Sequence, residues 1–424
     1  MHVNPGPTHY FDAGETLAQP ERLRQQGLAL TRMATLGYRN SKTVRSIFDE
    51  RSVDPARFTT LKDLEVLPVV SRELLVRLQM ENRPYGGLCS VSAEIDRIFI
   101  SPGPVYEPHL SELDTLWARG YHAAGFGPSD IVLNTFSYHM VAAGITFHEG
   151  LRKVGATVIP SGTSSTDQQV QLIRDLHVTG YTGTPSFLMA IIKKAEELGH
   201  DFKHDFRLRK ASFVAEPLQP SLRMTFEHEY GIDTYQMYGA TEVGDIAYEC
   251  SKKRHWHVCE EVIVEIVDPT TGKQVEPGEL GEVVVTRLNE TFFLFRFGTG
   301  DLSSLVTEPC ACGRTSYLLT GIAGRLGESA KVRGLFITPS QMQRVSSTMN
   351  GLSFKVVIDR HDFRDRVSVI VESPETTAGG GALAVEFADA FRQECTIKVD
   401  KIELAKPGTL VPAATIIEDR RNWE

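Results

Sequence analysis

Apolar residues recur at helical spacing through the first eighty positions, with Arg, Lys and Glu between them, and the pattern predicts helices over 22–36 and 71–80. The texture then changes to short apolar runs alternating with amphipathic stretches. Residues 130–136 (DIVLNTF) and 156–160 (ATVIP) read as strands, separated by a helix through His148-Glu149-Gly150. A polar cap at 165–167 opens a further helix whose Val170, Ile173 and Leu176 share one face. Strands are expected again at 180–182, 210–215 and 233–237. Such β-α-β alternation predicts a mostly parallel sheet covered by helices, with functional residues on loops at strand C-termini. Beyond Glu242 the period shortens to two at 262–268 and 281–288, around a turn-rich link, predicting an antiparallel β subdomain over about 245–320. From about residue 325 a last unit is expected, with helices at 339–349 and 383–393 and strands at 355–359, 367–372 and 398–404. The predicted fold is therefore α/β: a large N-terminal domain over 1–324 and a small, mobile α+β domain over 325–424.

Composition adds limits rather than detail. At 424 residues the chain needs more than one core. Its 41% hydrophobic and 23% charged content is that of a globular protein. The net charge of −9 disfavours nucleic acid as a partner, because phosphate neutralisation needs a basic face. No run approaches the roughly 20 apolar residues of a membrane span, and the first twenty positions lack an apolar core of signal type. A cytoplasmic location is expected. Of six cysteines, Cys250, Cys259, Cys310 and Cys312 cluster in the β subdomain, which suggests metal rather than cross-links. Cys250, His257, Cys310 and Cys312 would form a closed three-thiolate, one-imidazole set suited to a structural zinc. His255 and Cys259 compete as ligands, and reduced, unliganded thiols are the plainer alternative.

Three short segments carry the chemistry: Tyr238-Gly239-Ala240-Thr241-Glu242, Thr299-Gly300-Asp301 and Gly324-Arg325. Together with NTFSYHMVAAGITFHEGLRKVGATVIPSG at 134–162, Thr184-Pro185-Ser186, Ala215-Glu216-Pro217 and Arg83-Pro84-Tyr85-Gly86, they resemble the phenylacetate–CoA ligase branch of the acyl-adenylate-forming superfamily. The resemblance covers nearly the whole chain. It implies that Tyr238 and Gly239 lie against adenine, with Ala215, Glu216 and Pro217 closing the other side of the base. Thr241 would face the α-phosphate, Glu242 would bind Mg²⁺, and Asp301 and Arg325 would hold the ribose. Phe136, Tyr138, His139, Ala142, Ala143 and Met237 would line the acyl pocket, an aromatic and small-residue mixture suited to a flat aryl acid. Taken singly, Tyr238 reads equally as core, Asp301 as a turn cap and Arg325 as a surface charge. Five segments in register favour the nucleotide site. The implied ligands are AMP or ATP with Mg²⁺, CoA, and a small aromatic acid or its thioester, in a homodimer.

Two positions depart from that branch. The loop expected to grip ATP phosphates keeps Ser101 and Gly103 but gains Pro102 and Pro104, and carries Tyr106 and Glu107 where relatives have glycine and lysine. Each proline removes an N–H donor, and an anion at Glu107 would repel a triphosphate. Relatives also carry a lysine near the C-terminus that serves adenylation, and no lysine follows Lys406. A smaller departure is Gly327-Glu328, where relatives place aspartates. Both main departures fall on the first half-reaction. The expected activity is that of an AMP-forming aryl- or acyl-CoA ligase with impaired or altered adenylation. An enzyme that transforms acyl-CoA or acyl-adenylate without ATP, and a nucleotide- or CoA-sensing pseudoenzyme, are the alternatives.

Overall fold

The structure, a computed structural model, describes residues 9–103, 105–109, 116–326, 330–333, 335–337, 339–361, 363–373, 380–410 and 416–421. Pro104, the Gly327-Glu328 pair and residues 411–415 of the tail lie outside the described residues. The chain divides into two compact units, Met1–Gly324 and Arg325–Glu424.

The first unit opens with helices α1 (Gln19–Asn40), α2 (Lys42–Glu50) and α3 (Arg72–Glu81). On α1, Leu30, Met33, Ala34 and Gly37 follow the i, i+3, i+4, i+7 rule and are the buried face. Ser71 caps α3 by accepting from the Leu74 amide. Strands β1 (Arg97–Ser101) and β2 (Val105–His109) form an antiparallel hairpin.

Parallel strands β3 (Ile131–Asn134), β4 (Thr157–Ile159), β5 (Gly180–Gly183), β6 (Lys210–Phe213) and β7 (Asp233–Ala240) follow. Helix α4 (Ala118–Ala123) precedes them, and α5 (Ala142–Lys153), α6 (Thr166–Asp175) and α7 (Pro185–Glu197) are among the helices that intervene. β5 is buried along its whole length, as a strand covered on both faces must be. Ser165 caps α6, and Val170 and Ile173 are buried. Leu176 falls at the C-cap of α6 and is 44% exposed, because the shared face ends with the helix.

The sheet does not stop at β7. β7 turns at Thr241 into antiparallel β8 (Gly244–Glu249), then β9 (Trp256–Val258). After β10 (Val262–Val267), β11 (Gly281–Arg287) and β12 (Phe297–Ser303), strands β13 (Leu305–Val306) and β14 (Leu318–Leu319) complete a nine-stranded order β13-β14-β9-β8-β7-β6-β5-β3-β4. β10, β11 and β12 pair in a separate antiparallel sheet. The 245–320 segment is thus shared between two sheets, and the parallel sheet acquires an antiparallel wing. Gly239 sits where the two halves meet. A Cβ there would fall 2.3 Å from the Gly244 carbonyl oxygen and 2.5 Å from the Trp117 ring, so no side chain fits.

The second unit packs helices Pro339–Thr348 and Gly380–Cys395 on strands Phe354–His361 and Arg364–Glu372, flanked by parallel Lys401–Ala405 and Ile417–Asp419. Its core includes Val356, Ile358, Val367, Val369 and Phe387. The architecture is α/β throughout the first unit and α+β in the second.

Candidate functional site

The β1–β2 hairpin and the β7–β8 turn meet around Thr241. Alternation along β2 puts Val105, Glu107 and His109 on the buried face. Tyr106 faces the other way, and its amide and carbonyl bond the Gln79 side chain on α3, each at 2.8 Å. Glu107, not Tyr106, is therefore the residue that enters the site. Its Oε1 accepts from the Ser101 hydroxyl at 2.5 Å, and that oxygen lies 3.0 Å from the Thr241 hydroxyl. Glu107 is 6% exposed, and its Oε2 has no hydrogen-bond partner among the described residues. Thr241 is exposed.

Beside it, Glu242 receives an ion pair from Arg72, the first residue of α3, whose second guanidinium nitrogen donates to the Pro102 carbonyl at 2.9 Å. Sequence reasoning missed Arg72. It lies 170 positions from Glu242, and nothing local distinguishes it from the other helix-surface arginines. Gly103 completes the turn at φ +128, in space that only the Arg72 side chain borders within 4 Å.

Burial pushes the Glu107 carboxyl above its usual range, against the opposing hydrogen bond from Ser101. A raised folded pKa means that the native state favours the protonated acid. Stability associated with Glu107 is fully present below the unfolded value near 4.5 and is lost as pH rises through the folded value. Glu107→Gln stays neutral, so its unfolding free energy minus that of the wild type should grow from pH 5 to pH 8. Urea unfolding at the two pH values checks this, and a pH-independent difference would remove burial as the cause.

A second group forms where β7 faces β12. The Tyr238 hydroxyl donates to Asp301 Oδ2 at 2.9 Å and to Thr299 Oγ1 at 3.1 Å, while Thr299 also receives the Asp301 amide at 3.1 Å. Tyr238 is buried and tilts against Trp256 with ring centroids 5.8 Å apart. Ala215, Glu216 and Pro217 follow β6, next to β7 in the sheet, and Gln236 ties this loop to β7 by accepting from the Leu218 amide at 2.8 Å. Ala215 adopts φ +74, a left-handed conformation that costs a non-glycine residue about 1–2 kcal/mol. Arg325 begins the second unit.

The loop after β3 gathers part of the expected acyl-binding set. Phe136 packs on Phe147 at 4.6 Å, and Tyr138 accepts from Asn134 Nδ2 at 2.8 Å while its hydroxyl meets His148 Nδ1 at 3.1 Å. Burial raises the Tyr138 phenol and lowers the His148 imidazole. Ala142 and Ala143 are half-buried at the start of α5, whereas His139 is exposed. Met237 packs against α4: a Cβ on Gly120 would come 2.4 Å from its sulfur. The Met140 carbonyl accepts from the Ile100 amide at 2.8 Å and fastens this loop to the β1–β2 hairpin.

The cysteine and histidine cluster sits at the antiparallel wing. The ligand atoms of Cys250, His257, Cys310 and Cys312 all lie within 4.8 Å of one another. Cys250 and Cys310 sulfurs are 3.7 Å apart, and Cys312 Sγ is 3.3 Å from His257 Nε2. Two thiolates on one tetrahedral zinc at about 2.3 Å each are separated by about 3.8 Å, so the set fits the ion. His257 Nδ1 meets Ser316 Oγ at 3.2 Å, which orients Nε2 inward. Lys252 and Arg314 amides point at the Cys250 and Cys312 sulfurs, each at 3.5 Å. Hydrogen bonds from Cys250 and His257 hold Cys312 far below the ordinary thiol range, favouring thiolate. His255 and Cys259 are outside the group; Cys259 is buried beside Asp245.

The family profile described as AMP-binding enzyme matches residues 109–289. Phenylacetate-coenzyme A ligase of Pseudomonas putida is 30% identical over 388 residues, covering 86% of this chain and 86% of that protein. The Thermus thermophilus phenylacetate-coenzyme A ligase is 28% identical over 376 residues, 85% of this chain and 83% of the relative. A solved structure of 2-hydroxyisobutyryl-CoA ligase superposes with a TM-score of 0.90 at 22% identity, over 100% of this chain and 94% of that one, which establishes the shared fold. No helix among the described residues is long and apolar enough to cross a membrane.

Proposed function

This chain belongs to the phenylacetate–coenzyme A ligase family, and from that premise we propose that it binds AMP or an acyl-adenylate and CoA at a ligase site whose ATP-driven step is impaired. One observation supports the reading: Glu107 takes the Ser101 hydroxyl, which also lies 3.0 Å from the Thr241 hydroxyl, in the loop where the resemblance expects a lysine for the ATP phosphates. A carboxyl there supplies none of a lysine's positive charge to the β- and γ-phosphates of ATP, and repels them once ionised, while leaving the nucleoside side of the site unaffected.

The Tyr238–Asp301 pair supports that nucleoside side, with Asp301 offering acceptor oxygens to ribose hydroxyls and Tyr238 its ring to adenine. Ala215, Glu216, Pro217 and Gly239 would border the base, and Thr241 the α-phosphate. Phe136, Tyr138, His139 and Ala143 would contact a small, flat aromatic acid or its thioester, and Met237 would back that pocket from the core. A structural zinc on Cys250, His257, Cys310 and Cys312, a homodimer and a cytoplasmic location complete the proposal.

Calorimetry with ATP, AMP and CoA side by side, together with acid-dependent pyrophosphate exchange, tests it. The expected result is AMP binding, ATP binding at least tenfold weaker, and exchange at background. Vigorous exchange with phenylacetate or another aryl acid would sink the impaired-adenylation reading. The same observation at Glu107 favours a second reading: conversion of an acyl-CoA or acyl-adenylate without ATP. Mass spectrometry of acyl-CoAs incubated with the protein alone decides that one, and unchanged thioesters exclude it.

A further inference from the structure

A ligase of this family would offer Glu242 to magnesium, and whether this chain's residues fit that ion is decided by what already holds the carboxylate. Oε1 of Glu242 is ion-paired with Arg72, and Oε2 lies 3.2 Å from the Thr241 hydroxyl. The Glu242 side chain is 2% exposed and that of Arg72 22%, so the pair is screened on the carboxylate side and reachable on the guanidinium side. Arg72 is braced by the Pro102 carbonyl and by its start on α3, directly behind the Ser71 cap. It also lies near enough to Glu107 to offset that carboxyl's burial.

A guanidinium and a divalent cation cannot comfortably share one buried carboxylate. At about 4 Å and an effective dielectric near 20, each unit of like charge costs about 4 kcal/mol. One cation excludes the other. The resident one is covalently attached and needs no recruitment from solvent.

We propose that Arg72 takes the divalent cation's place at Glu242, making this a metal-free site for the α-phosphate of a nucleoside monophosphate or its acyl ester. The proposal rests on the nucleotide-site reading above. A guanidinium fork suits phosphate oxygens, and the Glu242 carboxylate that Arg72 holds also meets the hydroxyl of the exposed Thr241, beside which such a phosphate would arrive.

Manganese(II), followed by paramagnetic relaxation with AMP present, is the probe. Wild type and Glu242→Gln should take up equally little Mn²⁺. Arg72→Gln should gain a site at least tenfold tighter, and Arg72→Gln/Glu242→Gln should lose it again. In EDTA, AMP affinity of the wild type should match its value in magnesium, while Arg72→Gln should bind AMP at least tenfold more weakly. Mn²⁺ uptake by the wild type that Glu242→Gln abolishes would overturn the proposal, since it would mean a cation bridging Glu242 and the unpartnered Oε2 of Glu107. So would undiminished AMP binding by Arg72→Gln in EDTA, or no AMP binding by the wild type. Should Arg72→Gln not fold, the wild-type and Glu242→Gln comparison decides alone. Pyrophosphate exchange reports on the impaired-adenylation reading and Mn²⁺ uptake on this one, so either can fail without the other.

Discussion

Cys312→Ser is expected to destabilise the first unit by on the order of 5 kcal/mol and to release about one equivalent of zinc per chain. The estimate is a fraction of the roughly 10–16 kcal/mol by which zinc stabilises small domains that have no other core. Here the ion has help, so the loss is partial. The wing that would carry it is made of short strands: β9 has three residues, and β13 and β14 have two each. Strands this short supply few ladder hydrogen bonds, and the zinc would clamp the 250–257 and 310–312 segments across them. Next to the cluster, Arg314 and Tyr248 converge on the fully buried Glu15 at 2.8 and 2.7 Å. Loss of the ion should therefore loosen the N-terminal segment as well. Metal analysis by mass spectrometry and thermal unfolding of wild type, Cys312→Ser and chelator-treated protein give the answer. Equal unfolding midpoints and no zinc in the wild type would mean that these are ordinary reduced thiols.

Asp301→Ala should cost AMP roughly 100-fold in affinity. Two hydrogen bonds to a charged acceptor, at about 1.5–3 kcal/mol each, give 3 kcal/mol at the low end. Tyr238→Phe is the matched control. It removes the hydroxyl that donates to Asp301 at 2.9 Å but leaves the ring, so its effect should stay within about tenfold, the value of one hydrogen bond. The contrast separates ligand recognition from simple packing. If Asp301 only caps a turn, both variants will lower stability and neither will change AMP affinity in the folded fraction. Calorimetric titration, with circular dichroism to establish folding, distinguishes the two outcomes.

Pattern and spacing made much of the scaffold readable. The parallel strands stand out because they are short, apolar and separated by amphipathic helices, and Ser165 signals its cap directly. Where the sheet changes direction the sequence is silent. β8 and β9 carry no clear alternation, since β8 is buried at five of its six residues and all three residues of β9 are buried. The β1–β2 hairpin was legible only as a loop, because Pro102 and Gly103 dominate its centre and hide the strands on either side. Leu176 failed as a core residue for a local reason: the helix ends one position too soon.

In the site, residue identity carried the chemistry and the fold carried the partnerships. The groups present were readable without coordinates: an acid at Glu107, a hydroxyl at Thr241, a carboxylate at Asp301 and three thiols with an imidazole. These follow from side-chain type and need no coordinates. Only the tertiary structure decided that Glu107 faces inward while Tyr106 faces away, because that depends on the register of a hairpin whose strands could not be read. Only it joined Arg72 to Glu242 across 170 positions. Contacts at such separation are set by how helices and sheets stack to bury apolar surface, a collective outcome that no local window of residues contains.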